Sequence, residues 1–179
     1  MNSITTKGGD KGFSSLFSGE RVRKSDAIFE ALGTLDELNS WLGLIKLRLD
    51  LDELKQEVET IQRALFQIAS NIATSSDSEQ RNTLVLLCEE DLTKLEHFET
   101  TLLSSVKMPE TFIIPGINEN AALTDIARTV CRRSERRLVM LSDQGIDWIT
   151  LDIKYVNRLS DVIYVLARYF EKGAFKERK

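Results

Sequence analysis

The chain has 179 residues, 42% hydrophobic and 29% charged, with a formal net charge of −4. That is the balance of a soluble single domain with a real core, and no 18-residue apolar run exists to span a membrane. One histidine and two cysteines argue against a histidine-built metal site, a Ser/His/Asp or Cys/His triad, and a disulfide framework.

The first 25 residues hold four of the nine glycines (Gly8, Gly9, Gly12, Gly19) and a charge of +3, which leaves −7 on the remainder. They read as a loop or arm. They lack the apolar h-region of a secretory signal, so a cytoplasmic protein is expected. Small residues, lysines and hydroxyls between Thr5 and Ser15 are suited to cradling phosphate, although the P-loop pattern is absent. A flexible tail is the other reading of the same residues.

Ser25-Asp26 predicts the cap of a first helix, in which Leu35, Leu38, Leu42, Ile45 and Leu49 recur at helical spacing. Gly33 either breaks it or permits close packing. A second helix starts at Asp50 or Asp52, with Leu54, Val58, Ile61, Leu65, Ile68 and Ile72 as its apolar row. Residues 75–82 read as a loop. The third helix uses Leu84, Cys88, Leu92, Leu95, Phe98 and Leu102, which predicts a buried thiol at Cys88 and likewise at Cys131. The only histidine, His97, is expected at its surface. Residues 107–120 connect to a fourth helix over about 121–141, with Leu123, Ala127, Val130, Leu138 and Leu141 inward and a stop at Gln144-Gly145. The fifth carries Val156, Leu159, Ile163, Leu166 and Phe170. Scarce proline and short links predict an all-α, up-and-down bundle: arm 1–25, helices 26–172, tail 173–179.

The fourth helix holds five arginines in eleven residues, ARTVCRRSERR from Ala127 to Arg137. Arg128, Arg132 and Arg136 are four apart and stack on one face, with Asp125 and Glu135 in the same stripe. In an acidic chain this points to a small polyanion rather than to nucleic acid. The fifth helix has a comparable polar row in Asn157, Asp161, Tyr164 and Arg168, and the first in Asp36, Asn39, Ser40 and Gly43. Three polar rows and a basic arm either converge on one site or are three solvated faces. Spacing leaves both open.

Taken together and in order, TKGGDKGFSS (Thr6 to Ser15), SGER (Ser18 to Arg21) with Lys24, GTLDELN (Gly33 to Asn39), the arginine run and YVNRLSD (Tyr155 to Asp161) resemble the PduO-type ATP:cob(I)alamin adenosyltransferases across essentially the whole chain. The resemblance implies a ferritin-like five-helix bundle that assembles as a homotrimer with active sites at subunit interfaces, without membrane or nucleic-acid partners. The implied reaction moves the 5′-deoxyadenosyl group of ATP to the cobalt of reduced cobalamin and releases triphosphate. Mg²⁺ comes with the ATP phosphates, and a separate electron donor reduces the cobalt. Carried over by position, Thr6, Lys7, Gly8, Gly9, Ser14, Ser15 and Lys24 wrap ATP, and Arg132, Arg133, Glu135, Arg136 and Asn157 complete its site. Asp36 and Arg128 match an ion pair across the interface, and with Arg132 they are the expected catalytic residues. Phe112 matches an aromatic residue below the corrin ring. The arm departs from the family's usual Tyr-Thr-Lys-Thr-Gly at Thr5 and Gly8, and Ile117, Thr124 and Ser134 also differ from the common pattern. An adenosylcobalamin carrier or ATP-sensing protein with weak turnover is the alternative reading.

Overall fold

The structure, a computed structural model, describes Thr5 and residues 7–177. Thr6 lies outside the described residues. Five helices dominate: α1 (Ala27–Lys46), α2 (Asp52–Ile72), α3 (Glu89–Ser105), α4 (Glu119–Asp143) and α5 (Thr150–Glu171). Two pairs of short strands accompany them, β1 (Phe13–Ser15) with β2 (Arg21–Arg23) as a hairpin, and β3 (Ile113–Ile114) with the distant β4 (Lys176–Glu177), both antiparallel. None of the described helices is long and apolar enough to cross a membrane.

Local chemistry sets the helix ends. The Asp26 carboxylate accepts from the Ile28 amide at 3.0 Å and starts α1, as its sequence position predicts. Gly33 leaves α1 unbroken. Asn118 caps α4 by accepting from the Ala121 amide at 2.9 Å, and Gly145 ends it at φ +100°. The third helix begins later than its apolar spacing predicts. The Asp91 carboxylate reaches back to the Cys88 amide at 2.9 Å, closing a cap, and Glu89, Glu90 and Asp91 fill the first turn where acidic charge is favoured. Leu84 therefore precedes the helix in extended backbone, and Cys88 is exposed rather than buried. Cys131 is buried as expected, and burial drives its thiol far above the ordinary range.

Ion pairs fix the packing direction. Glu30 of α1 meets Arg137 of α4 at 3.4 Å, and Arg48 just beyond α1 meets Glu119 at 3.6 Å, so the two helices run antiparallel. Glu96 of α3 accepts from Arg158 of α5 at 3.0 Å, and residues 105–107 lie by Arg168, so these helices run parallel. The result is the up-and-down arrangement, with α4 packed on both α1 and α5. One buried cluster joins all five helices, built on residues such as Leu38, Leu42, Ile68, Phe98, Leu138, Leu159 and Ile163. Leu123 is only half-buried.

A polar clip lies at one end of the bundle. Buried Asp152, at the start of α5, accepts from Asn71 of α2 at 2.6 Å, and Asn71 accepts from Arg81 at 2.8 Å. Arg81 stacks over Trp148 at 5.3 Å and reaches the Thr74 carbonyl at 3.3 Å, tying down the α2–α3 connection. Burial raises the Asp152 carboxyl to about 7, against the Asn71 hydrogen bond and the Arg81 charge, which lower it. Between the usual aspartate range and about 7, the native chain keeps a proton that the unfolded chain has released. Stability therefore falls as pH rises through that window, and the penalty is complete above it. In Asp152→Asn that loss is expected to vanish. The unfolding free energies of variant and native chain should diverge in the variant's favour from pH 5 to pH 8, by up to about 3 kcal/mol. A pH-independent difference would mean that Asp152 is ionised throughout.

Candidate active site

Of the arm residues, Lys7 is exposed and sits in the left-handed region at φ +56°, uncommon without a glycine. The Gly8 carbonyl accepts from Arg21 at 2.9 Å. A Cβ at Gly9 would come within 2.6 Å of Lys24 Nζ, so glycine lets the lysine lie across the arm. Ser14 and Ser15 stand on β1 opposite Val22 and Arg21, and the Lys24 amide bonds to the Gly12 carbonyl at 2.9 Å. The arm is thus a folded hairpin, where its glycine-rich composition predicts a loop. The Phe17 amide donates to the Ala73 carbonyl at 3.0 Å, which seats the hairpin on the C-terminal end of α2.

That end also receives the arginine run. β2 ends three residues before α1 begins, and Glu30 in the first turn of α1 pairs with Arg137. Glu37, two turns further on, pairs with Arg133. These two arginines clamp α4 to α1. Arg132 and Arg136 point elsewhere: both are exposed, and Arg136 donates to the Arg132 carbonyl at 3.0 Å. The Arg132 guanidinium makes no hydrogen bond or ion pair among the described residues. Glu135 accepts from Asn157 at 2.7 Å, so α4 and α5 present adjoining polar groups on the same flank.

Further along α4 the stripe turns inward. Asp125 is buried rather than solvated, because Arg168 of α5 donates to its Oδ2 at 2.6 Å and Arg128 Nε to its Oδ1 at 2.9 Å. The Arg168 end of the α5 polar row is likewise buried, and Tyr164 is half-buried. Both correct the expectation of a polar row opposite the core. A signal was present in the sequence: Arg168 stands alone in the apolar run VIYVLARYF, where a cation requires a buried partner. Asp125, Arg128, Tyr164 and Arg168 line a cleft of about 620 Å³ with Glu110, Phe112 and Pro115. Phe112 is 85% exposed at its edge. Asp36, on α1, is exposed, and its carboxylate makes no ion pair with Arg128 within the chain.

The arginine stripe runs from half-buried Arg128 at this cleft to exposed Arg132 and Arg136 nearer the arm's end of the bundle. Arg128 and Arg136 are eight residues apart, about 12 Å along the helix. Such a track offers several fixed cations to a linear polyanion, with an apolar recess at one end. Among the described residues no group of three or more His, Cys, Asp or Glu side chains is placed to hold a metal, and His97 is exposed.

The chain matches the family model for cobalamin adenosyltransferase over residues 4–170. It is 40% identical over 168 residues to the corrinoid adenosyltransferase PduO of Citrobacter freundii, covering 92% of this chain and 49% of that protein. It is 38% identical over 179 residues to the corrinoid adenosyltransferase MMAB of Homo sapiens, covering 97% of this chain and 70% of that one. The chain spans about half the length of the PduO relatives from Citrobacter freundii and Salmonella typhimurium. Among solved structures, it superposes with a TM-score of 0.85 and 30% identity, over 99% of both chains, on a variant PduO-type ATP:corrinoid adenosyltransferase from Lactobacillus reuteri complexed with cobalamin and ATP. A second variant from that organism, complexed with ATP, gives 0.86 and 33% identity over 99% of this chain and 100% of that one.

Proposed function

Because the chain belongs to the cobalamin adenosyltransferase family, we propose that it transfers the 5′-deoxyadenosyl group of ATP to the cobalt of cob(I)alamin and releases inorganic triphosphate. The observation that carries this reading is the arginine stripe of α4, which lines an apolar cleft through Arg128 and leaves Arg132 and Arg136 exposed toward the end of the bundle where the glycine-rich hairpin sits. The cobalamin and ATP bound by the Lactobacillus reuteri relative support it.

The chemistry asks for what this face offers. The cobalt(I) lone pair attacks the ribose 5′ carbon, the Co–C bond forms, and the C–O bond breaks with its electrons leaving on triphosphate. No proton moves at the reacting carbon, so no general base is required. Charge gathers on the departing phosphate chain, where guanidinium groups and backbone amides held in place beforehand stabilise it without reorganising. Arg132 and Arg136 supply that charge from α4. Lys7, Lys24, Ser14 and Ser15, with the amides of Gly8 and Gly9, supply it from the hairpin, and Thr6 belongs to the same segment. Arg133 and Glu135 hold the flank in place through Glu37 and Asn157. Mg²⁺ enters as MgATP and is held mainly by the phosphates.

Phe112 and Pro115 give the cleft an apolar wall that keeps water and a lower axial ligand from the cobalt, which eases its reduction. The electron comes from a separate donor, in a cytoplasmic setting that supplies ATP and reductant. A homotrimer completes each site, with Asp36 of one copy meeting Arg128 of the next. Incubation with ATP and chemically reduced cobalamin is expected to yield adenosylcobalamin and triphosphate in equal amounts. Release of phosphate or pyrophosphate would contradict direct displacement, and binding of both substrates without product would leave a carrier.

A further inference from the structure

Arg168 heads the fully buried side chains by volume, at 1% exposure. Burying an ion pair costs desolvation, and apolar residues of similar volume often serve stability as well or better. Its geometry gives it another use. Arg168 Nη2 donates to Asp125 Oδ2 at 2.6 Å, and Nε stands 2.8 Å from Glu171 Oε2, an ion-pair contact off the axis of a hydrogen bond. The Tyr164 ring lies 4.6 Å from the Arg168 guanidinium and 5.9 Å from that of Arg128. Asp125 therefore bridges two arginines, one buried and one in the cleft wall, each on its own oxygen. Arg128 spends only Nε on this bridge. Its two terminal nitrogens keep their donors for other partners.

We propose that Asp125 and Arg168 are positioning residues for Arg128, holding its guanidinium in the cleft wall so that its terminal nitrogens serve the corrinoid side of the site and the neighbouring subunit. This rests on the function proposed above. By taking up Oδ2, Arg168 disfavours the two-pronged pair between Arg128 and Asp125 that a guanidinium and a carboxylate otherwise adopt. A donor pinned beforehand loses less freedom when the site fills. Lysine at position 168 keeps the charge but is a single point donor without the planar fork that meets Asp125 and Glu171 together.

Two readouts test the bracket. In ¹⁵N-labelled protein the Arg128 Hε resonance is expected to be protected from water exchange, to lose protection in Asp125→Ala and to weaken in Arg168→Lys. An unprotected Hε in the native chain, or one untouched by Arg168→Lys, overturns the proposal. In turnover, Arg168→Lys is expected to lower kcat/KM for cob(I)alamin about tenfold while KM for ATP stays within about twofold. In an Arg128→Ala background the same change should add less than about twofold. A structural role would carry its full loss into that background, and that result also overturns the proposal. A native chain with a protected Hε but no adenosyl transfer would defeat the functional reading and leave the bracket standing.

Discussion

Arg132→Ala is expected to lower turnover by about two to three orders of magnitude, about 3–4 kcal/mol at the barrier, with a melting temperature close to that of the native chain. The asymmetry comes from its surroundings. Arg133 and Arg137 are engaged with Glu37 and Glu30, whereas the Arg132 side chain is exposed and binds nothing among the described residues. Exposed side chains of this kind shift folding stability by about 0.5 kcal/mol or less. A guanidinium held over a leaving triphosphate acts where charge grows, so its loss falls on kcat rather than on ATP binding alone. Arg132→Lys keeps the charge without the planar fork and should recover only part of the rate. Stopped-flow formation of the Co–C bond, beside a thermal melt, separates the two effects. A large drop in melting temperature with normal specific activity would remove Arg132 from the chemistry.

Asp36→Ala and Arg128→Ala are each expected to lower kcat/KM for the corrinoid by about 30-fold or more, the cost of orphaning one member of a desolvated pair. In the proposed function this pair is made between copies, and helical geometry supports that reading. The in-chain clamps use Glu30 and Glu37 on α1 with Arg137 and Arg133 on α4. Asp36 is turned about 100° from Glu37, and Arg128 lies about 140° around α4 from Arg133, so neither is on the clamping face. Mixing the two variants gives the decisive measurement. In a mixed ring, one interface brings native Asp36 from the Arg128→Ala copy to native Arg128 of the Asp36→Ala copy. Unfolding and refolding the two impaired proteins together should therefore give activity well above that of either alone. No recovery in verified mixed assemblies would place the pair outside the reaction.

The helices were legible because each apolar row repeats for several turns. α2 begins at Asp52, one of the two predicted starts, and α4 stops at Gln144-Gly145 as predicted. α3 was misplaced by four residues or more because Leu84 and Cys88 continue its apolar spacing. The Asp91 cap, in which the Cys88 amide and thiol both donate to its carboxylate, and the acidic first turn outweigh that pattern. The arm hairpin was missed for a different reason. Strands of three residues are too short to show alternation, and their register comes from backbone bonds and the seat on Ala73. The candidate site was legible as a set of motifs and not as a surface. Periodicity places Asp125 and Arg168 on polar rows, yet pairing across α4 and α5 makes their positions interior. For Arg132 and Asp36 the ambiguity runs the other way. A wet face and a face awaiting a ligand or another subunit have the same spacing.

The short β3–β4 pair also bears on the order in which the molecule matures. Ile113 and Ile114, directly after Phe112, find their partner strand at Lys176 and Glu177, beyond the last helix. During translation the ribosome delivers the Phe112 loop well before the segment that pins it, and both α4 and α5 emerge in between. The scaffold can therefore set first and the Phe112 cleft last, so a nascent chain gathers its helices while the mouth of its pocket is still unlaced.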